Sequence, residues 1–308
     1  MDLPKPFRGI IPPLITPLLA DLSLDQTSLE KILEHVIAGG VDGVFILGTT
    51  GEAPSLSKQL KKELIQATGE MVNGRIPVLV GITDCSFEES LDLAEYARKA
   101  GANALVATTP FYMKIGQDEL VNYFQKLADA VDLPLFLYNM PSHTHLSIAV
   151  ERVKKLSQHP NIVGIKDSSG DLTYFQELCD ACREMPEFTV LVGPEEILLE
   201  TLQMGGHGGV TGGSNLFPDL YVSVMEAFDK NDKARASELQ ESIGFLSKNL
   251  YHHGGYPNDY LKGIKGAMAL EGLCQKFTAL PVIPFNESEM NTLSEKLDTV
   301  KAQLRNMI

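Results

Sequence analysis

The sequence predicts a (β/α)8 TIM barrel followed by a helical C-terminal extension, on three observations. Eight short β-branched or aliphatic runs recur along the first two thirds of the chain, amphipathic stretches of helical period separate them, and no linker or low-complexity tract interrupts the alternation. Their spacing, roughly 20–35 residues, is that of successive βα units. Strands are expected over 9–17, 44–47, 78–81, 104–108, 135–138, 162–166, 190–192 and 208–211. Helices are expected over 57–72, 86–99, 117–131 and 146–157, several behind an N-cap or first-turn acid, such as Ser57, or Ser86 with Glu88 and Glu89. A helix over 216–230 would complete the barrel within residues 1–232, and about three more would make 233–308 an extension of the same domain. An open doubly wound sheet is the weaker alternative, because no G-x-G-x-x-G follows the first strand.

Bulk properties narrow the function. A chain of 308 residues with 44% hydrophobic residues can bury a large core. Its 40 acidic against 26 basic residues give a net charge of −14, spread along the chain, which argues against nucleic-acid or anionic-membrane partners. The start, MDLPKPFRGIIPPLITP, lacks the apolar core of a signal peptide, and no run approaches the length of a membrane span. Four cysteines are too few for a disulfide scaffold; Cys179 and Cys182 form a lone C-x-x-C within a helical pattern, so no metal site is expected there. A cytoplasmic setting is expected.

Chemistry is expected at the C-terminal ends of the strands, where barrels of this kind carry it. The segment NIVGIKDSSGD, Asn161 to Asp171, ends an apolar run on Lys166. Alternation puts Ile162, Gly164 and Lys166 on one face and Val163 and Ile165 on the other, so an inward Lys166 would stand above a small residue in an aliphatic layer. Such burial disfavours an ammonium, and a neutral amine attacks carbonyls to form an imine. The preceding strand ends on Tyr138, whose phenol could move protons beside that amine. After the second strand, Gly48-Thr49-Thr50-Gly51-Glu52 offers hydroxyls and backbone N–H groups ahead of a helix, a cradle for a carboxylate; it lacks the lysine of a nucleotide-phosphate loop. An amine, a phenol and an anion cradle together describe chemistry on a 2-oxo acid, pyruvate being the smallest.

Five ordered motifs, GTTGE, TTPFYMK (108–114), YNMP, GIKDSSGD and GGHGGVTGGSN (205–215), give the chain a resemblance over nearly its whole length. It resembles the dihydrodipicolinate synthase / N-acetylneuraminate lyase family of pyruvate-dependent class I aldolases. The resemblance implies a covalent imine on Lys166 with no metal or organic cofactor, and a homotetramer built as a dimer of dimers. It implies Tyr138 as the catalytic tyrosine, Thr49 as the link between two tyrosines of a proton relay, and Tyr112 as the second of them, reaching in from a neighbouring subunit. It further implies Thr50, beside Gly48, at the pyruvate carboxylate, and the backbone carbonyl of Val210 in the wall of the site.

Two departures bear on the aldehyde partner. Synthases that condense pyruvate with aspartate semialdehyde usually carry Arg two residues after the proline of YN-x-P, where this chain has His143. Arginine grips a carboxylate through two bonds and is always charged, whereas histidine is mostly neutral near pH 7. Asp167-Ser168-Ser169 resembles the Lys-Asp-Ser pattern of hydroxy-oxoglutarate and keto-deoxy-sugar-acid aldolases, and Gly209, Gly212 and Gly213 would leave space around the pocket. The expectation is therefore an aldolase making or cleaving a hydroxy or keto-deoxy 2-oxo acid. The alternatives are a dihydrodipicolinate synthase and, more remotely, a barrel that binds a keto acid without turning it over.

Overall fold

In a computed structural model, which describes residues 3–251 and 257–305, eight parallel strands run in the order β1-β8-β7-β6-β5-β4-β3-β2. They are β1 (Gly9–Ile10), β2 (Val44–Ile46), β3 (Val78–Gly81), β4 (Ala104–Thr108), β5 (Leu135–Asn139), β6 (Ile162–Asp167), β7 (Thr189–Val192) and β8 (Gly208–Gly209). The barrel closes between β1 and β2 through a parallel bridge of Pro13 to Phe45, with the Leu14 N–H donating to the Phe45 carbonyl at 2.8 Å. The first strand is far shorter than the expected 9–17, because Pro12 and Pro13 have no N–H to give a ladder.

Side chains alternate along most strands. Phe45, Leu79, Ala104, Val106, Phe136, Tyr138 and Leu191 fill the barrel interior. Their neighbours Val44, Ile46, Val80, Leu105, Leu137 and Val190 pack outward beneath the helices. On β6 the expected alternation fails at its start. The pairing with β5 slips between Leu135 and Phe136, so that Leu135 faces Ile162 and Phe136 faces Gly164. This irregularity turns Ile162 outward and lets Val163 pack with the interior. From Gly164 onward the phase is as expected, and Lys166 points in. Gly164 is needed by a neighbour rather than by the lysine: a Cβ there would lie 2.6 Å from the Phe136 ring.

The helices between the strands begin where their caps dictate. Ser57 accepts from the Leu60 N–H to start the helix Lys58–Val72, and Ser86 from the Glu89 N–H to start the helix Phe87–Lys99. The expected helix over 146–157 is shorter. Pro141 opens a single turn (Pro141–Thr144) that ends at left-handed His145, and the chain then runs extended to Ala149 before Val150–Leu156 coils. The Gln117 side chain holds that extended stretch by bonding the Ser147 carbonyl and the Ala149 N–H. After Pro218–Asp229, three helices follow: Lys233–Leu250, Asp259–Leu270 and Glu287–Arg305. Their apolar faces, including Leu239, Ile243, Ile264, Met268, Leu293 and Val300, join the same core cluster as the helices of the barrel. The last residues of the expected extension, 306–308, lie outside the described residues. No described helix is long and apolar enough to cross a membrane.

Candidate active site

The GIKDSSGD segment resolves into one device. Lys166 sits in register with Tyr138 of β5 and Leu191 of β7, at the C-terminal end of the sheet. Asp167 faces the other way and is tied down, accepting from Asn139 Nδ2 at 2.8 Å and from the Ser169 hydroxyl at 2.8 Å. Burial pushes its carboxyl above the usual range, although the Asn139 and Ser169 bonds favour the carboxylate. Gly170 supplies the left-handed turn (φ 73°) that leads to Asp171, which caps the next helix by accepting from the Thr173 and Tyr174 N–H groups. The polar run after the lysine thus anchors the strand end and fixes where the amine emerges.

Lys166 is 6% exposed, and its surroundings are aromatic. Its Nζ lies 4.1 Å from the centroid of the Tyr138 ring and 5.2 Å from that of Phe45, while the two rings meet edge to face at 6.4 Å. The Tyr138 hydroxyl lies 3.2 Å from Thr49 Oγ1. Burial pushes the Tyr138 phenol up, but the nearby Lys166 ammonium and bonds with Thr49, Ser168 and Lys166 outweigh it and hold the phenol below its ordinary value. A phenol displaced toward the working range is suited to giving and taking protons.

Above Lys166 opens a cavity of about 410 Å³, lined among others by Thr49, Thr50, Tyr138, His143, Ser168 and Val210. That volume holds a small keto acid and an aldehyde of a few carbons. Gly193 makes room for Ser168, since a Cβ there would lie 2.0 Å from the serine hydroxyl. His143 stands at the rim, with its Nδ1 3.0 Å from the Ser142 hydroxyl. Burial, and then the neighbouring His145, hold its imidazole below the ordinary histidine value. Lys166 and His143 are the only basic side chains among the described residues lining the cavity.

Several expectations are corrected. Gly48 does not line the cavity; it lies where a Cβ would meet the Phe45 ring at 2.6 Å, and its carbonyl accepts from the Ala53 N–H. The Thr49–Thr50 loop is not followed directly by a helix N-terminus, because a 3-10 turn (Ala53–Ser55) intervenes and the Ser57 side chain caps the first turn of the helix Lys58–Val72. A carboxylate here would meet hydroxyls rather than a helix end. The glycines near Val210 do not leave open space. Cβ atoms on Gly212 and Gly213 would collide with the hydroxyls of Tyr260 and Tyr221 respectively. Tyr112, which the resemblance assigns to a neighbouring subunit's site, is a different case: it does not line its own chain's cavity, is 92% exposed, has left-handed backbone (φ 74°), and stands beside exposed Met113.

Some lining residues escaped sequence reasoning. Glu195 and Glu196 follow β7 at the cavity edge, and Tyr260 and Leu261 arrive from the C-terminal extension. The position of Glu195 and Glu196 just past the seventh strand was a usable signal; for Tyr260, some fifty residues beyond the last strand, there was none. Glu195 is buried and accepts from the Gly213 N–H at 2.7 Å and from the hydroxyls of Tyr221 and Tyr251. Burial, then adjacent Glu196, push its carboxyl up to about 7 despite those bonds. Among the described residues no group of three or more His, Cys, Asp or Glu could hold a metal ion.

Comparison with known proteins decides the family. The profile of the dihydrodipicolinate synthetase family matches residues 6–300. The chain belongs to that family. The structure of dihydrodipicolinate synthase from Bacteroides thetaiotaomicron superposes with a TM-score of 0.93 at 44% identity, covering 96% of this chain and 99% of that one. YagE, a prophage protein of the family from Escherichia coli K12 in complex with pyruvate, gives a TM-score of 0.91 at 31% identity over 96% and 99%. A probable 2-dehydro-3-deoxy-D-pentonate aldolase of Escherichia coli K12, YjhH, is 35% identical over 78% of this chain and 80% of its own. Family members of this kind are lyases, and their names divide between synthase and aldolase.

Proposed function

We propose that this lyase forms an imine between Lys166 Nζ and pyruvate, and makes or cleaves the carbon–carbon bond of a hydroxylated 2-oxo acid. The observation that carries the reading is the buried Lys166 amine at 4.1 Å from the Tyr138 ring, with the Tyr138 hydroxyl hydrogen-bonded to Thr49. The amine attacks the keto carbon, Tyr138 passes a proton to the departing hydroxyl, and water leaves. The iminium then draws electrons from the adjacent carbon, so a methyl proton passes to the Tyr138 phenolate and an enamine forms. Attack of the enamine on an aldehyde builds the new bond while Tyr138 gives that proton to the aldehyde oxygen. Water then adds to the resulting iminium, returning a proton to Tyr138 and releasing the product from Lys166. Because the iminium is itself the electron sink, the route calls for no metal or organic cofactor. Thr50 is assigned to the pyruvate carboxylate side, Thr49 to the proton relay with Tyr138, and Ser168, His143 and the Val210 carbonyl to the walls facing the partner aldehyde.

The aldehyde is assigned from charge. Three glutamates, Glu52, Glu195 and Glu196, and a histidine held toward its neutral form line the cavity, a setting that suits hydroxyl groups better than a second carboxylate. A second reading, condensation with aspartate semialdehyde, is favoured by the 44% identity to the Bacteroides thetaiotaomicron synthase. We further assign Tyr112 to a neighbouring subunit's site within a homotetramer acting in the cytoplasm, since an aromatic ring that exposed gains most from a partner surface. A condensation screen of pyruvate against glyoxylate, glyceraldehyde and aspartate semialdehyde tests the assignment. Higher kcat/KM with a hydroxy-aldehyde supports the aldolase reading; higher kcat/KM with the semialdehyde establishes the synthase.

A further inference from the structure

The loop that presents Thr49 and Thr50 is gripped from outside the barrel by the helix Asp259–Leu270. Glu52, two residues past Thr50, has left-handed backbone (φ 58°) and is 4% exposed. One of its carboxylate oxygens accepts from the Ala279 N–H at 2.6 Å; the other accepts from the ammonium of Lys265, 213 residues away in the chain. Lys265 is completely buried. The same helix also reaches Thr50, where the Tyr260 hydroxyl lies 3.4 Å from Thr50 Oγ1. The extension therefore meets the loop at two points on either side of Gly51.

A buried ion pair is a poor source of stability, because removing both charges from water offsets most of their attraction, and an apolar pair of similar volume would hold as well. Its distinctive effect is on geometry, since any drift of either partner strands a charge. A left-handed backbone at a residue other than glycine also persists only where its surroundings over-determine it. Both features converge on Glu52. The turn they fix is closed by the Glu52 N–H on the Thr49 carbonyl at 3.0 Å, so the orientation of Glu52 bears on the backbone that carries Thr49 and Thr50.

We propose that Lys265 is a positioning residue: through Glu52 it fixes the turn that aims Thr49 and Thr50 into the cavity, so that the C-terminal extension sets how tightly the keto-acid carboxylate is held. The proposal rests on the imine reading above. Burying the charged pair rather than an apolar one is then explained by what the loop does, not by what the fold needs.

The test compares wild type, Lys265→Met, and the double variant Glu52→Gln/Lys265→Met. Each is read by Tm, by kcat, and by the pyruvate concentration that half-saturates borohydride trapping on Lys166. Trapping in the wild type checks the imine reading independently, so its failure there is distinct from failure of the proposal. In the double variant no charge is stranded and the glutamine oxygen can still accept from the Ala279 N–H. We expect it to fold with Tm near that of the wild type, to need about 10–100-fold more pyruvate, and to reach full trapping at saturation. Lys265→Met alone should show at least that loss together with a lower Tm. A double variant with the wild-type pyruvate dependence overturns the proposal. So does one that cannot fold, because the pair would then serve the fold alone.

Discussion

Replacing Tyr138 with phenylalanine separates the phenol's chemistry from its packing. The ring would keep its place beside Lys166 and its edge-to-face contact with Phe45, losing only the hydroxyl that meets Thr49 at 3.2 Å. Hydrogen bonds of this kind contribute about 1 kcal/mol each to folding, so Tm should fall by only a few degrees. Loss of a positioned proton donor costs roughly 10²–10⁴-fold in rate, or about 3–5 kcal/mol of barrier. The two magnitudes differ enough to be told apart in one set of measurements. Steady-state kcat with pyruvate and the best aldehyde, beside a thermal melt, gives both. The expected outcome is a folded protein whose kcat has dropped by at least two orders of magnitude. A folded variant with unchanged kcat would leave Tyr138 as a core aromatic with no part in proton transfer.

Three further outcomes follow from the same site. His143→Arg places a permanent charge at the cavity rim and should raise kcat/KM for aspartate semialdehyde by roughly 10–150-fold, the worth of a charge-assisted contact of about 1.5–3 kcal/mol; no gain would mean another group already holds that carboxylate. Glu195 binds its proton more tightly folded than unfolded, so its contribution to stability is fullest below its ordinary value of 4.5 and is lost as pH rises toward about 7. Denaturant titrations should show Glu195→Gln removing a slope of at most about 1.4 kcal/mol per pH unit across that window, and an identical slope in both proteins would contradict the assignment. Activity should require assembly, because Tyr112 lies outside its own chain's cavity; full kcat in a protein shown by sedimentation to be monomeric would remove Tyr112 from the mechanism.

The strand ends were the legible part of this molecule. Alternation of two places Tyr138 and Lys166 inward from sequence alone, and adjacent strands in register bring them together. The same rule misplaced Ile162, because a slip in strand pairing is set by the neighbouring strand and leaves no mark in the segment's own pattern. The caps at Ser57 and Ser86 were readable because they act within a few residues. The stretch 146–149 read as helical but is held extended by the side chain of Gln117, some thirty residues earlier. The glycines at 212 and 213 leave no open space; they are small because Tyr260 and Tyr221 need the volume, a need set by residues distant in the chain. Lys265 and Tyr260 carried no local signal at all: what gives them a role is docking onto a loop more than two hundred residues away.

Borohydride reduction in the presence of pyruvate shows whether a covalent imine forms on Lys166. Peptide mapping by mass spectrometry should find one stable pyruvyl adduct, on the peptide carrying Lys166, dependent on both pyruvate and reductant and absent from Lys166→Ala. No adduct, or an adduct on a different lysine, would contradict the account and remove the aldolase and synthase readings together.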